Sequence, residues 1–104
     1  MKIAVAASGN TMKSKLDYCF SKCSYFMVYD TESEKIDFIR NTVGYFSINV
    51  GKEIIKLLSK HQIEKIISVK FGIKSIKAAE KIKIKTQIIN DETINMSQII
   101  KIIN

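Results

Sequence analysis

The sequence predicts one three-layer α/β domain built on a mixed five-stranded sheet, and three observations lead there. The chain has 104 residues, near the lower end of the ~100–200 residues usual for a single domain. Its apolar share of 46% and charged share of 26% suit a packed core and lie far from the composition of disordered chains. Its hydrophobic pattern opens with three strand-like runs and then alternates helices with strands, as expected of a sheet covered by helices.

Ile3 to Ala7 is a continuous apolar run closed by Ser8-Gly9-Asn10, the pattern of a strand buried on both faces and ended by a turn. Residues 8–23 are polar and irregular and hold Gly9, three lysines and both cysteines. A loop this long in so small a domain is as a rule functional or mobile, which makes it the first place to look for a site. Tyr25 to Tyr29 is aromatic and β-branched, Thr31-Glu32-Ser33-Glu34 interrupts the pattern, and Lys35 to Arg40 resumes it, so strands two and three form a hairpin. After a second loop over Asn41–Ser47, Val50, Ile54, Leu57 and Leu58 recur at helical spacing with Lys52, Lys56 and Lys60 largely opposite, giving a first helix over 49–60.

Ile63 to Val69 is the expected fourth strand, ended by a Lys70-Phe71-Gly72 loop. In the second helix Ile73, Ile76, Ala79 and Ile82 share one face, while Lys74, Lys77 and Lys81 form a basic stripe on another. Ile84 to Ile89 supplies the fifth strand, and Thr93 is the expected N-cap of a last helix carrying Ile99, Ile100 and Ile103. The order β-β-β-α-β-α-β-α, with right-handed crossovers placing helices on both faces, matches the ribonuclease H-like topology.

Charge is a weak guide. The formal net charge is +7, but 20 residues are Ile and 16 of the 17 basic residues are Lys, a compositional bias that produces a basic protein whatever its function. Two cysteines without a signal peptide fit a reducing compartment rather than a disulfide scaffold, and no apolar run reaches the roughly 18 residues needed to cross a bilayer, so a cytoplasmic monomer is expected. Two-metal nuclease chemistry needs clustered carboxylates with one acid on the first strand; that strand is Ile3-Ala4-Val5-Ala6-Ala7. A nucleotide site wants several glycines after a strand, and Gly9 stands alone. His61, the one imidazole, falls at a helix end, where it suits the helix dipole better than catalysis. The chain is therefore expected not to be an enzyme, and nothing in it suggests base-stacking readout of nucleic acid.

Cys19 and Cys23 carry the remaining chemistry, because thiolates are the preferred ligands of iron–sulfur clusters and soft metals. Two thiolates cannot complete a four-ligand structural site, so a metal held there would be labile or completed by other ligands. Cys23 at the mouth of strand two reads equally well as a small buried hydrophobe. Cys19, beside Phe20 and near Lys22, leans toward function. The lysine stripe of the second helix is most simply a solvated face.

Met1-Lys2-Ile3-Ala4-Val5, the Ser-Gly-Asn turn, and Phe20, Cys23, Tyr25 and Phe26 within Phe20-Ser21-Lys22-Cys23-Ser24-Tyr25-Phe26 resemble the dinitrogenase iron-molybdenum cofactor biosynthesis family, which includes NifX-type carriers. The likeness continues through Val50-Gly51, Phe71-Gly72 and the Thr93 helix, so it spans residues 1–104 as one domain. Ser21, Lys22 and Ser24 depart from the family segment, although Lys22 keeps a positive charge; Cys19 stands where many members have His or Arg, and a frequent His is missing from residues 41–46. The resemblance implies a carrier for an iron–sulfur cluster or an iron-molybdenum cofactor precursor, exchanging it with metallocluster donor and acceptor proteins. The implied ligands are Cys19 and Cys23, with Lys13, Lys15 and Lys22 offsetting cluster charge. A cluster-free interaction or regulatory module, using the basic helix and Tyr45 and Phe46, is the alternative.

Overall fold

The computed structural model describes residues 1–43 and 49–103; Tyr45 and Phe46 lie outside them. The chain runs through β1 (Lys2–Ala7), a short 3-10 turn (Phe20–Lys22), β2 (Tyr25–Asp30), β3 (Ile36–Arg40), α1 (Val50–Ser59), β4 (Ile63–Ser68), α2 (Ile73–Lys81), β5 (Lys85–Ile88) and α3 (Met96–Ile103). The sheet order is β3-β2-β1-β4-β5. β2 is antiparallel to both β1 and β3, while β1, β4 and β5 are parallel.

The period-2 alternation of strands creates two cores. Ala4 and Ala6 of β1 join Phe26 and Val28 of β2 beneath α1 and α2, in a cluster with Ile54, Ile55, Leu58 and Ala79. Ile3, Val5 and Ala7 join Met27 and Tyr29 on the opposite face, where Met96 and Ile99 of α3 cover them. Ile63 and Ile66 of β4 share a face although an odd number of residues apart. A register shift makes this possible: Lys2 pairs with Ile63 but Ile3 with Lys65, so Glu64 is an extra residue that reverses the alternation.

Two sequence expectations fail here. Of the expected α2 face, Ala79 is buried and Ile76 lies at the margin with Ala78, but Ile73 and Ile82 are 72% and 47% exposed and Ser75 is buried in their place. The cause is a close approach of two helices through small residues: a Cβ on Gly51 of α1 would lie 3.4 Å from the Ser75 Cα and collide with its hydroxyl. Bulky isoleucines cannot occupy such a contact, so they fall outside it. The N-cap of α3 is Asn95 rather than Thr93. The Gln98 amide donates to Asn95 Oδ1 and the Asn95 amide to Gln98 Oε1, both at 2.9 Å, a reciprocal capping box. Thr93 is engaged with Asp91 Oδ1 in the preceding turn. His61 is exposed just past α1, where its amide donates to the Leu58 carbonyl.

Candidate functional site

Parallel strands followed by helices bring the carboxyl ends of β1, β4 and β5 to one edge of the sheet, the usual location of ligand sites in such sheets. The long loop after β1 is sewn across that edge in two limbs. In the first limb, Ser8 and Lys15 exchange backbone and hydroxyl bonds, Leu16 is buried, and its amide donates to the Ile94 carbonyl. Carbonyls of Met12 and Ser14 accept the amides of Ser97 and Met96, so this limb caps the first turn of α3. Lys13 and Lys15 project from it, exposed, and Lys15 is bridged to Asn95.

The second limb crosses from β1 to β4. Asp17 donates its amide to Ala6, Phe20 donates to the Lys70 carbonyl, and Cys19 forms a parallel bridge with Lys70. The buried Phe20 ring anchors the limb, with Phe26 at 5.6 Å and Phe71 at 5.2 Å between ring centroids. The 3-10 turn after it delivers Lys22 to the surface and turns Cys23 back into the core.

The two cysteines are thus placed very differently. Cys23 is 2% exposed and packs with Ala6, Phe20 and Phe26; its thiol donates to the Phe20 carbonyl at 3.4 Å. Burial, reinforced by the Asp17 charge, pushes its pKa well above the ordinary thiol range, so it stays protonated. Cys19 is half-buried, its amide held by Asp17 Oδ1 at 3.1 Å and its sulfur 3.3 Å from the Ser21 hydroxyl. Of the pair, Cys19 is the more exposed.

Several neighbours escaped sequence reasoning. Tyr18, 53% exposed, has the Lys70 ammonium 6.0 Å from its ring centroid, close to the limit of a cation–π contact. Asn41 donates from Nδ2 to the Cys23 carbonyl at 2.9 Å and accepts the Val43 amide on Oδ1. An Asn directly after a strand was the only hint of that Asx turn. Beside Cys23 an open cleft of about 400 Å³ is lined by Lys22, Arg40, Ser21, Ser24 and Tyr25 among others, cations and hydroxyls with no carboxylate among the described residues. Lys22, Cys19 and Cys23 therefore belong to one turn, while Lys13 and Lys15 are held on the α3 side of the loop. Among the described residues, no group of three or more His, Cys, Asp and Glu side chains is placed to hold a metal ion, and no helix is long and apolar enough to cross a membrane.

Comparison with known proteins agrees with this layout. Curated protein sequences give no match. Among solved structures, the apo form of the orange protein from Desulfovibrio gigas has a TM-score of 0.88 at 22% identity, over 96% of this chain and 83% of that one. A Thermotoga protein provisionally described as NifB has a TM-score of 0.81 at 18% identity, over 98% and 85%. At such identities these likenesses concern the fold. The model of the dinitrogenase iron-molybdenum cofactor family matches residues 1–101, and the chain belongs to that family.

Proposed function

We propose that the protein is a carrier rather than an enzyme, accepting a preassembled anionic metal–sulfur cluster of the iron-molybdenum or iron–sulfur type and passing it to an acceptor protein. The observation that carries this reading is the donor set. One thiol, Cys19, is partly exposed on a braced turn, and no further group of protein ligands among the described residues could hold a bare ion. A finished cluster brings its own sulfide bridges and, where its other metal sites keep terminal ligands of their own, can be held by one protein thiolate together with cations that offset its charge. Cys19 is the proposed ligand, Lys22 the adjacent cation, and Lys13 and Lys15 a second cationic group on the same loop. Cys23 serves by fixing the turn. The strand order with β2 alone reversed supports a ribonuclease H-like classification, and the two free cysteines suit the reducing cytoplasm.

The test is anaerobic. The parent, Cys19→Ala and Cys23→Ala are each offered ferrous ion alone or a synthetic iron–sulfur cluster ligated by small thiols, and bound iron and visible absorption are read after desalting. The parent and Cys23→Ala should retain the cluster, Cys19→Ala should lose it, and none should retain ferrous ion stoichiometrically. Failure of the folded parent to take up the cluster would overturn the carrier reading in favour of a cluster-free interaction module.

A further inference from the structure

The lysine stripe of α2 does not stand by itself. Across from Lys74, Lys77 and Lys81 lie Lys52 and Lys56 of α1, and together they rim two adjoining hollows of about 350 and 280 Å³ that share Lys52, Ala78 and Lys81. Among the described residues five lysines surround this groove and Glu53 is the one carboxylate lining it. Its floor is apolar: Ile55 is buried at the base, Ala78 is half-buried and Ile82 is 47% exposed.

Three physical facts set this surface apart from an ordinary solvated face. Like charges three or four residues apart on a helix repel, and here Lys52 repels Lys56 and Lys77 repels both Lys74 and Lys81. Among the described residues, no carboxylate comes within 4.0 Å of any of the five ammonium groups; the ion pairs all involve the Met1 amine. At the centre of this repulsive rim Ile82 is open to solvent beside the half-buried Ala78.

We infer that the α1–α2 groove docks an acidic amphipathic segment of a partner protein, with carboxylates on the two lysine rows and an apolar ridge on Ala78 and Ile82. Such a segment meets both properties of the groove at once: it neutralises the rim and covers the floor. Nucleic acid meets only one, because no aromatic side chain among the described residues lines the groove to stack a base and a phosphate backbone leaves the floor wet. This surface shares no lining residue with the cysteine loop, so the inference stands whether or not a cluster is carried.

The probe is a labelled acidic helical peptide with Leu at every third or fourth position flanked by Glu, titrated with the full chain and read by fluorescence anisotropy. Saturable binding that weakens with salt is expected. Lys77→Glu with Lys81→Glu should weaken it by about tenfold or more, and Ile82→Asn several-fold at unchanged charge, whereas Lys35→Glu with Lys101→Glu should stay within about twofold. Circular dichroism confirms that each variant is folded. An equal loss in the Lys35/Lys101 pair would reduce the effect to diffuse charge and overturn the inference. So would absence of saturable binding, or tighter binding of duplex DNA with the same sensitivity to Lys77 and Lys81.

Discussion

Replacing Lys83 by glycine should stabilise the protein although it removes a side chain. Lys83 follows α2 with φ of 62°, the left-handed region that costs a residue bearing a Cβ about 1–2 kcal/mol. The conformation is imposed by the helix end: the Lys83 amide donates to Glu80 at 3.1 Å and the Ile84 amide to Ala79 at 2.9 Å, the pairing of a Schellman motif. The buried Ile84 and Ala79 provide its apolar contact. Glycine relieves the strain but loses about 0.5–1 kcal/mol through its freer unfolded chain, leaving a net gain of about 0.5–1 kcal/mol. For a domain of this size that corresponds to a rise in Tm of roughly 2–8 °C. Thermal unfolding followed by circular dichroism measures it, with Lys81→Gly as the opposing control. That residue lies two positions earlier, inside α2, and its replacement should cost up to about 1 kcal/mol. A Lys83→Gly protein that melts at or below the parent would refute the reasoning, since the strain would then be absent or offset by contacts of the lysine stem.

Gly51→Ala should cost about 1–3 kcal/mol in urea unfolding, because its Cβ meets Ser75 across the α1–α2 contact; Ser75→Gly in the same chain should recover part of the loss, and a neutral Gly51→Ala would place the helices farther apart than described. Alkaline stability should report on Cys23, whose pKa is raised above the ordinary 9.0 by burial and by Asp17. The folded state then keeps a proton that the unfolded state gives up, so the contribution is full below about pH 9 and declines as pH rises beyond it, by up to about 1.4 kcal/mol per unit. The decline should be shallower in Cys23→Ala, and urea unfolding of both proteins at about pH 8, 9 and 10 decides; equal slopes would show that another group is responsible.

The strands and their order of appearance were legible because each is a short apolar or alternating run bounded by turn residues, and β1, β2 and β4 lie within a residue of their expected limits. What escaped depends on partners distant in sequence. Periodicity marks Ile73 and Ile82 as companions of Ile76, yet it cannot register that Gly51, more than twenty residues away, selects Ser75 for the helix contact. The shift at Glu64 is similarly invisible until β4 is laid against β1. At the site, both cysteines stand out in the sequence as candidate ligands, but their separate placements do not. Which of two thiols faces inward is decided by the 3-10 turn at Phe20, whose ring must reach Phe26 and Phe71. The lysines divide for a comparable reason, since the backbone bonds from residues 12 and 14 to α3 turn half of the loop away from the cysteine limb.

Those bonds also set an order of assembly. The first loop after β1 gives up its carbonyls to amides at the start of α3, an element that leaves the ribosome after all five strands. Until α3 arrives, the limb carrying Lys13 and Lys15 lacks its main support and Leu16 has neither Ile94 nor Met96 to pack against. The earliest loop in the chain is therefore among the last to be completed. A nascent protein can brace its cysteine limb once β4 has paired with β1, and leaves the Lys13 and Lys15 limb unfinished until α3 has docked.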